Sequence, residues 1–247
     1  MSGTVFAVRD LCKDYGAREA VRGITLSVSI GEFIGLVGAN GSGKTTFLKC
    51  LSGQVRPTSG TIAIDDLDML REPVKAKARI GYAIEAELLP KPLTGNQVLG
   101  FVAGAKERPQ WSDEIAPLSE LLDLQWRLDD PIASYSQGMR AKLGALAALI
   151  GDPKLVIFDE TLATFDPVAA YRLKQYLCEG AASKRWSVLF STHAMESVEQ
   201  IATRVLMLQD GKVAADWTDG ELKELKQTTG KTLEQIIVEQ ITRRSTP

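Results

Sequence analysis

The sequence is poor in the residues that build disulfide frameworks and metal clusters. Its 247 residues include three cysteines and one histidine. Cys12, Cys50 and Cys178 are widely spaced and form no CxxC pair, so we expect neither a disulfide framework nor a structural zinc site. The single histidine, His193, excludes a histidine-based metal cluster within one chain. This usage is typical of a cytosolic protein with reduced thiols.

Long apolar runs and an excess of one charge are also lacking. The run at 143–150 is interrupted by Gly144 and is far shorter than the ~20 residues that span a bilayer. The start of the chain has no basic stretch followed by an apolar one, so we predict no secretory signal. A formal net charge of -2 is unlike the basic footprint of a nucleic-acid-binding protein, and we expect no nucleic-acid partner.

Short strands and helices alternate along the sequence, which predicts an α/β protein. The predicted strands lie at 5–8, 24–28, Phe33–Val37, 61–64, 155–158, Ser187–Ser191 and 204–208. The predicted helices lie at Lys44–Leu51, at 137–150, after Pro167 and, as a pair, in the tail. Asp210-Gly211 predicts a hairpin turn. Thr232 and Gln235 have the spacing of a capping box at the start of the last helix.

The middle of the chain differs from the rest. From about Pro90 to Leu128 the pattern is helical, prolines recur and no strong strand is visible. We therefore predict a single domain over 1–247 with a helical insertion. Its predicted parts are an α/β core with a β-subdomain at 1–85 and 154–215, a helical subdomain at 86–153, and a helical tail at 216–247.

A glycine-rich motif carries the strongest functional signal. It matches the pattern G-x-x-x-x-G-K-[ST] and reads Gly38-Ala39-Asn40-Gly41-Ser42-Gly43-Lys44-Thr45-Thr46. Glycines let the backbone N–H groups approach phosphate oxygens, and the following helix adds its positive end. Lys44 would reach the β- and γ-phosphates, and the Thr45 hydroxyl would bind Mg²⁺. Its position after a predicted buried strand and before a predicted helix favours this phosphate loop over an ordinary glycine turn.

Two adjacent carboxylates end a later apolar strand. Asp159 and Glu160 follow Leu155-Val156-Ile157-Phe158, and ligands bind at the carboxyl ends of strands in open α/β sheets. Asp159 can hold Mg²⁺, and Glu160 can polarise an attacking water. Such a pair alone is more often a solvated strand end. Together with the phosphate loop it indicates a nucleotide-hydrolysing site.

With these motifs, the chain resembles the ABC ATPases over nearly its whole length. Ser134-Tyr135-Ser136-Gln137-Gly138-Met139-Arg140 is similar to the family signature, in the form found in some bacterial exporters. The resemblance implies that Ser136, Gln137 and Gly138 act on ATP held by the other subunit of a dimer. The helix after Ser136 would point its amino terminus at the γ-phosphate. By itself, Ser-x-Gly before a helix is also an ordinary helix cap.

The resemblance assigns roles to two further side chains. His193, in Ser191-Thr192-His193 after an apolar strand, matches the switch histidine that contacts the γ-phosphate and orients the water. Tyr15 precedes the first long strand, where the family has an aromatic ring that stacks on adenine. A lone histidine is more often a surface or core residue than a functional one, and Tyr15 by itself is typical of an exposed turn. The order of the four motifs favours the functional interpretation of both.

The chain departs from the family pattern at two places. Glu85 stands where the family usually has a glutamine that contacts Mg²⁺ and water. A carboxylate can still ligate Mg²⁺, so we expect Glu85 to keep the link between core and helical subdomain with an altered Mg²⁺ dependence. The family's Pro-Thr-x-Gly-Leu-Asp is replaced by residues 161–166, of which Asp166 survives. Since this segment couples the two ATP sites in the family, the dimer contact is expected to differ here.

The implied protein is an ATPase subunit that binds ATP and Mg²⁺. The resemblance implies a P-loop NTPase core with an ABC-type antiparallel β-subdomain and an inserted α-helical subdomain. It also implies a homodimer, or a heterodimer with another ABC ATPase chain, on the cytoplasmic face of a membrane. Transmembrane permease subunits would be its partners, and the signature form resembles exporters.

Two other functions remain open at this point. One is a soluble ABC ATPase that acts on nucleic acid or ribosomes, although such relatives usually carry two ATPase units or long coiled coils. The other is a nucleotide-binding regulatory module without turnover. The changes at Glu85 and 161–165 make this module conceivable, whereas Glu160 and His193 argue against it.

Overall fold

The computed structural model describes residues 3–244, and at 241–244 it describes the backbone alone. The strands are β1 (Thr4–Tyr15), β2 (Arg18–Ser29), β3 (Phe33–Val37), β4 (Ser59–Ile64), β5 (Leu67–Asp68), β6 (Ile80–Tyr82), β7 (Leu155–Asp159), β8 (Ser187–Ser191), β9 (Arg204–Gln209) and β10 (Lys212–Thr218). The α-helices are α1 (Lys44–Leu51), α2 (Pro73–Ala78), α3 (Gly95–Ala105), α4 (Trp111–Leu121), α5 (Gln137–Leu149), α6 (Pro167–Ala182), α7 (Met195–Ile201), α8 (Asp219–Thr229) and α9 (Leu233–Arg244).

The main sheet is mostly parallel, so most of its strands end at the same edge. Its strand order is β10-β9-β3-β8-β7-β6, and all neighbouring pairs except β10–β9 are parallel. The carboxyl ends of parallel strands lie at one edge of a sheet. The phosphate loop, the acidic pair and the segments carrying Glu85 and His193 all follow strands of this sheet.

Alternating side chains of the central strand enter two cores. Phe33 and Val37 belong to the apolar cluster that includes side chains of α3, α4, α5 and α6. Ile34 and Leu36 belong to the second cluster, formed with α1 and the antiparallel sheet. All five residues of β3 are buried, which is the burial that a near-continuous apolar run predicts. The loop that follows is therefore anchored on a rigid strand.

The second sheet is antiparallel, as predicted, but its first two strands are longer than predicted. Its order is β2-β1-β4-β5, and β1 and β2 each have 12 residues. The register of β1 against β2 shifts between Val8 and Leu11, where Asp10 has a positive φ of 48°. This bulge interrupts the polar–apolar alternation. The strand predicted from that alternation therefore stopped at residue 8, although β1 continues to Tyr15.

The remaining elements partly follow the predictions. Segment 86–153, all of it described, contains α3, α4 and α5 and no strand. The short helices α2 and α7 were not predicted, and each has a single buried residue, Ala76 and Val198. β10 continues through Thr218, so the helical part of the tail begins at 219 rather than 216. Among the described residues, no helix combines the length and apolar composition needed to cross a membrane.

The structure confirms the predicted hairpin turn at 210–211 and the predicted capping box at Thr232. β9 and β10 pair through the hairpin at 210–211. Thr232 N donates to Gln235 Oε1 at 3.0 Å, and Gln235 N donates to Thr232 Oγ1 at 3.3 Å. The predicted tail helices are α8 and α9. Residues 1–2 and 245–247 of the predicted domain lie outside the described residues.

Candidate functional site

The phosphate loop joins the carboxyl end of β3 to the start of α1, and two of its glycines cannot be replaced. Gly38 has a φ of 148°, and a Cβ there would lie 2.2 Å from the carbonyl oxygen of Leu208. Gly43 has a φ of 104°, and its Cβ would lie 2.4 Å from the carbonyl oxygen of Ala20. Both close approaches require glycine, so the loop is held tightly between β9 and β2.

The loop encloses a cation and an unpaired hydroxyl. Lys44 is 6% exposed, and its Nζ donates to the carbonyl oxygens of Gly38 at 2.8 Å and Ala39 at 3.3 Å. Burial lowers the pKa of Lys44, and the charges of Glu160 and Asp159 oppose that shift. Ser42 Oγ is buried without a partner among the described residues. Since buried polar atoms are normally paired, the loop fits an anionic ligand such as a phosphate.

A first cavity, of about 340 Å³, opens above this loop. Besides residues 40–46, its walls are formed by Tyr15, Arg18, Ala20 and Glu160. The structure thus brings the predicted adenine-stacking ring to the phosphate loop. Tyr15 is 50% exposed, and Lys13 Nζ lies 4.9 Å from its ring centroid. Gly38 and Ala39 do not line the cavity and contribute the carbonyl groups that hold Lys44.

Asp159 is held from both sides at the end of β7. It lies opposite Ser191 in the β7–β8 pair, and Ser191 Oγ donates to Asp159 Oδ1 at 2.5 Å. The Tyr82 hydroxyl donates to Asp159 Oδ2 at 3.5 Å. Burial and the nearby charge of Asp159 raise the pKa of Tyr82, which keeps the phenol protonated. The carboxylate therefore has a fixed orientation towards the sheet edge.

Glu160 and His193 contact each other at the same edge. Glu160 Oε1 lies 2.9 Å from His193 Nε2, and both side chains are about half exposed. Glu160 has a φ of 54°, a conformation that is uncommon for residues other than glycine. Its N–H donates to Ser191 Oγ at 3.0 Å and lies 3.2 Å from the carbonyl oxygen of Ser191. The turn after β7 is thus fixed by β8, which also leads to His193.

A second cavity, of about 420 Å³, adjoins the first and contains the predicted metal ligands. Thr45, Glu85, Asp159 and Glu160 all line it. Their hydroxyl and carboxylate oxygens are the hard donors that Mg²⁺ prefers, so this set fits the ion. Within the described part of the chain, no three or more His, Cys, Asp or Glu side chains are grouped closely enough to hold a metal ion by themselves.

The predicted signature residues lie at the start of α5. Ser136 Oγ accepts a hydrogen bond from Met139 N at 3.2 Å and so caps the helix. A Cβ on Gly138 would lie 3.3 Å from the carbonyl oxygen of Thr164. Gln137 lines the second cavity, whereas neither cavity is lined by Ser136 or Gly138. Of the three predicted signature residues, only Gln137 therefore borders these cavities.

Asp166 is engaged within its own chain. Its Oδ1 accepts from Ala169 N at 2.9 Å and caps α6. Its Oδ2 lies 2.8 Å from Lys142 Nζ on α5. The hydrogen bond from Lys142 lowers the pKa of Asp166. Asp166 thus ties the segment after Glu160 to the helix that Ser136 caps, and it lines neither cavity.

Several residues of the site had no predicted role. Arg18 lines the first cavity, Lys49 forms an ion pair with Glu85, and Ser191 holds Asp159. Ser191 stands two residues before the predicted His193 at the end of an apolar strand, and this signal could have identified it. Arg18 and Lys49 are single charged residues outside any motif, so only the fold shows their neighbours.

Comparison with known proteins identifies the family. A family model described as ABC transporter matches residues 21–163. The chain belongs to the ABC transporter family. It is 34% identical to the uncharacterized ABC transporter ATP-binding protein YxlF of Bacillus subtilis (strain 168), over 90% of this chain and 73% of that protein.

Solved structures of ABC cassettes have the same fold. A structure of the ATP-binding subunit of an ABC transporter has a TM-score of 0.88 at 28% identity and covers 96% of this chain and 99% of its own. A dimeric ATP-binding cassette in a post-hydrolysis state, bound to ADP and Pi, has a TM-score of 0.77 at 21% identity and covers 87% and 98%. The chain is an ATP-binding subunit of an ABC transporter, and this family hydrolyses ATP.

Proposed function

We propose that this chain hydrolyses ATP to drive substrate movement, in the direction of export, through separate membrane subunits. The contact of 2.9 Å between Glu160 and His193 carries the proposal. Glu160 lines the cavity that contains the phosphate loop, so a general base stands where a terminal phosphate would lie. A regulatory module without turnover has no need of this pair.

The nucleotide would lie along the first cavity. Adenine would stack on Tyr15, and base–aromatic stacking of this kind stabilises binding by about 1–3 kcal/mol. The loop N–H groups, Ser42 and Lys44 would bind the β- and γ-phosphates. Thr45, Asp159 and Glu85 would hold Mg²⁺, which when bound neutralises phosphate charge.

Glu160 would act on water at the γ-phosphate. Its carboxylate accepts a proton from the water whose oxygen bonds to phosphorus, and the bond to the β-phosphate oxygen breaks to give ADP and phosphate. His193 Nε2–H would donate to Glu160 Oε1 and keep the carboxylate oriented. General-base assistance of this kind contributes typically about 10²–10⁴-fold.

The site would be completed by a second ATPase subunit. Ser136 and Gly138 line neither cavity of their own chain, which supports a role on ATP held by a partner. The N–H groups at the start of α5 would then face the γ-phosphate, and Asp166 would couple the two sites. The partner is a second copy of this chain or another ABC ATPase chain.

The motion would pass to permease subunits from the cytoplasmic face of the membrane. We divide the chain for this purpose into a core at 1–85 and 154–215, a helical subdomain at 86–153 and a tail at 216–247. Glu85 stands at the boundary of the first two parts, and its ion pair with Lys49 on α1 supports a linking role. The signature form supports export.

ATP-driven pairing tests this proposal. We expect Glu160→Gln to bind ATP without hydrolysing it, so that light scattering shows a change from monomer to dimer only with Mg-ATP. Gly138→Asp in the same background is the control, because a bulky charge at the start of α5 should block pairing and spare binding. Pairing that is independent of ATP, or unaffected by Gly138→Asp, would contradict the proposed arrangement.

A further inference from the structure

The tip of the β1–β2 hairpin places an aromatic ring and a cation side by side. Tyr15 and Arg18 are the last pair of this ladder, joined by Gly16 and Ala17. Directly opposed residues of antiparallel strands hold their Cβ atoms about 4.5–5.5 Å apart. Both side chains line the first cavity together with residues 40–46. The hairpin therefore places Arg18 directly opposite the tyrosine whose ring would stack on adenine.

The guanidinium group of Arg18 lies over the phosphate loop. Its Nη2 is 3.5 Å from the position that a Cβ on Gly41 would occupy. Arg18 is exposed, and no ion pair or hydrogen bond of its side chain occurs among the described residues. The neighbouring Glu19 pairs with Arg22 instead, at 3.3 Å. Arg18 thus keeps its donors for a ligand in the cavity.

The charges of the cavity separate two binding positions. Its charged side chains are Arg18, Lys44 and Glu160. Lys44 Nζ is enclosed by loop carbonyl groups, whereas Arg18 stands at the rim beside Tyr15. A guanidinium group binds phosphate in a planar, two-pronged geometry that an ammonium group does not offer. Of these two cavity cations, Arg18 is the one paired with Tyr15 in the hairpin, and it therefore lies on the nucleoside side of the cavity.

We propose that Arg18 binds the phosphate closest to the nucleoside and acts as a second cationic ligand besides Lys44. The proposal rests on the proposed binding of ATP in this cavity. This phosphate is present in both ATP and ADP. Arg18 therefore increases affinity for substrate and product by the same factor and does not discriminate between them.

Calorimetric titration of Arg18→Gln with ATP and with ADP tests this inference. We expect the Kd of each nucleotide to rise about tenfold by the same factor, with partial recovery in Arg18→Lys. Arg9→Gln changes an exposed arginine of β1 outside the cavity and should leave both Kd values unchanged. Adenosine, measured by competition, should bind Arg18→Gln and the parent protein equally.

Several results would overturn the inference. Unchanged Kd values for Arg18→Gln would make Arg18 a solvated surface residue, and loss of ATP affinity alone would place it at another phosphate. Equal weakening of adenosine would mean that the variant disturbs Tyr15 instead. If the parent protein bound no ATP at all, the proposed function would fail, whereas normal ATP binding by Arg18→Gln would leave that function intact.

Discussion

Lys49 Nζ lies 3.2 Å from Glu85 Oε1, so the carboxylate at the position of the family's glutamine stands in an ion pair. Lys49 is one helical turn after Thr45 on α1, and both ion-pair side chains are about one third exposed, at 30% and 35%. Glu85 shares its cavity with Asp159 and Glu160. Lys49 therefore reduces the negative charge at the place where phosphates would bind.

Removal of Lys49 should weaken nucleotide binding through Glu85. We expect Lys49→Met to raise the Kd of Mg-ATP about fivefold, because an uncompensated carboxylate then faces the triphosphate. In a Glu85→Gln background, the same substitution should change the Kd less than about twofold. Titration calorimetry of the four proteins measures this coupling. The same increase in both backgrounds would show that Lys49 acts independently of Glu85.

Glu85→Gln alone should alter the Mg²⁺ dependence of hydrolysis. This follows from its oxygen lining the cavity with Thr45 and Asp159. Thermal unfolding without nucleotide, measured for the parent, Lys49→Met, Glu85→Gln and the double variant, shows whether each protein is folded. An unchanged Mg²⁺ dependence would remove Glu85 from the proposed metal ligands.

Ser191→Ala should lower the affinity for Mg²⁺ although no proposed metal ligand is substituted. Ser191 Oγ orients Asp159 by the hydrogen bond to Oδ1, and loss of such an outer partner typically costs 10- to 100-fold in metal affinity. We expect the Mg²⁺ concentration for half-maximal hydrolysis to rise about tenfold. ATP binding without Mg²⁺ should stay at the parent value.

Ser187→Ala is the matched control for that variant. Ser187 is also buried on β8, but its hydroxyl donates to the carbonyl oxygen of Ser29, away from the site. Its loss should lower the free energy of unfolding and leave the Mg²⁺ dependence unchanged. An equal shift of the Mg²⁺ midpoint in both variants would assign the effect to strand packing.

Lys106 should make stability depend on pH. Its Nζ donates to the carbonyl oxygens of Ile80 and Ile150, and burial, with Arg108 adding to it, lowers its pKa from 10.5 to about 8. Between these values the unfolded chain keeps the proton and the folded chain loses it, so rising pH favours folding. Below the folded pKa, both states are charged and the burial cost is present in full.

Denaturant unfolding at pH 8 and pH 10 measures this contribution. Relative to Lys106→Met, the parent protein should gain about 2 kcal/mol over this interval. Lys212→Met removes an exposed lysine and should run parallel to the parent. Parallel curves for Lys106→Met as well would mean that Lys106 keeps its charge in the folded state.

The sequence predicted those parts of the site that chain-local chemistry determines. Glycines at 38 and 43 are required by the backbone conformation itself, and the apolar runs of β3 and β7 place the loop and the acidic pair at one sheet edge. Lys49 and Glu85 lie 36 positions apart in sequence, so their pairing depends on how α1 packs against β7, the neighbour of β6 in the sheet. The bulge at Asp10 interrupts the alternation of β1, so the full length of β1 was not predicted. The β1–β2 hairpin that brings Arg18 to the cavity was therefore not predicted either.

Phosphate release by the purified parent protein and by Glu160→Gln measures whether Glu160 is the general base. We expect steady release by the parent with Mg-ATP and a decrease of about 10²–10⁴-fold in the variant, whose ATP Kd stays at the parent value. The carboxamide keeps the shape of the side chain but cannot accept the proton. Ordinary turnover by Glu160→Gln would contradict the assignment of Glu160 as the general base.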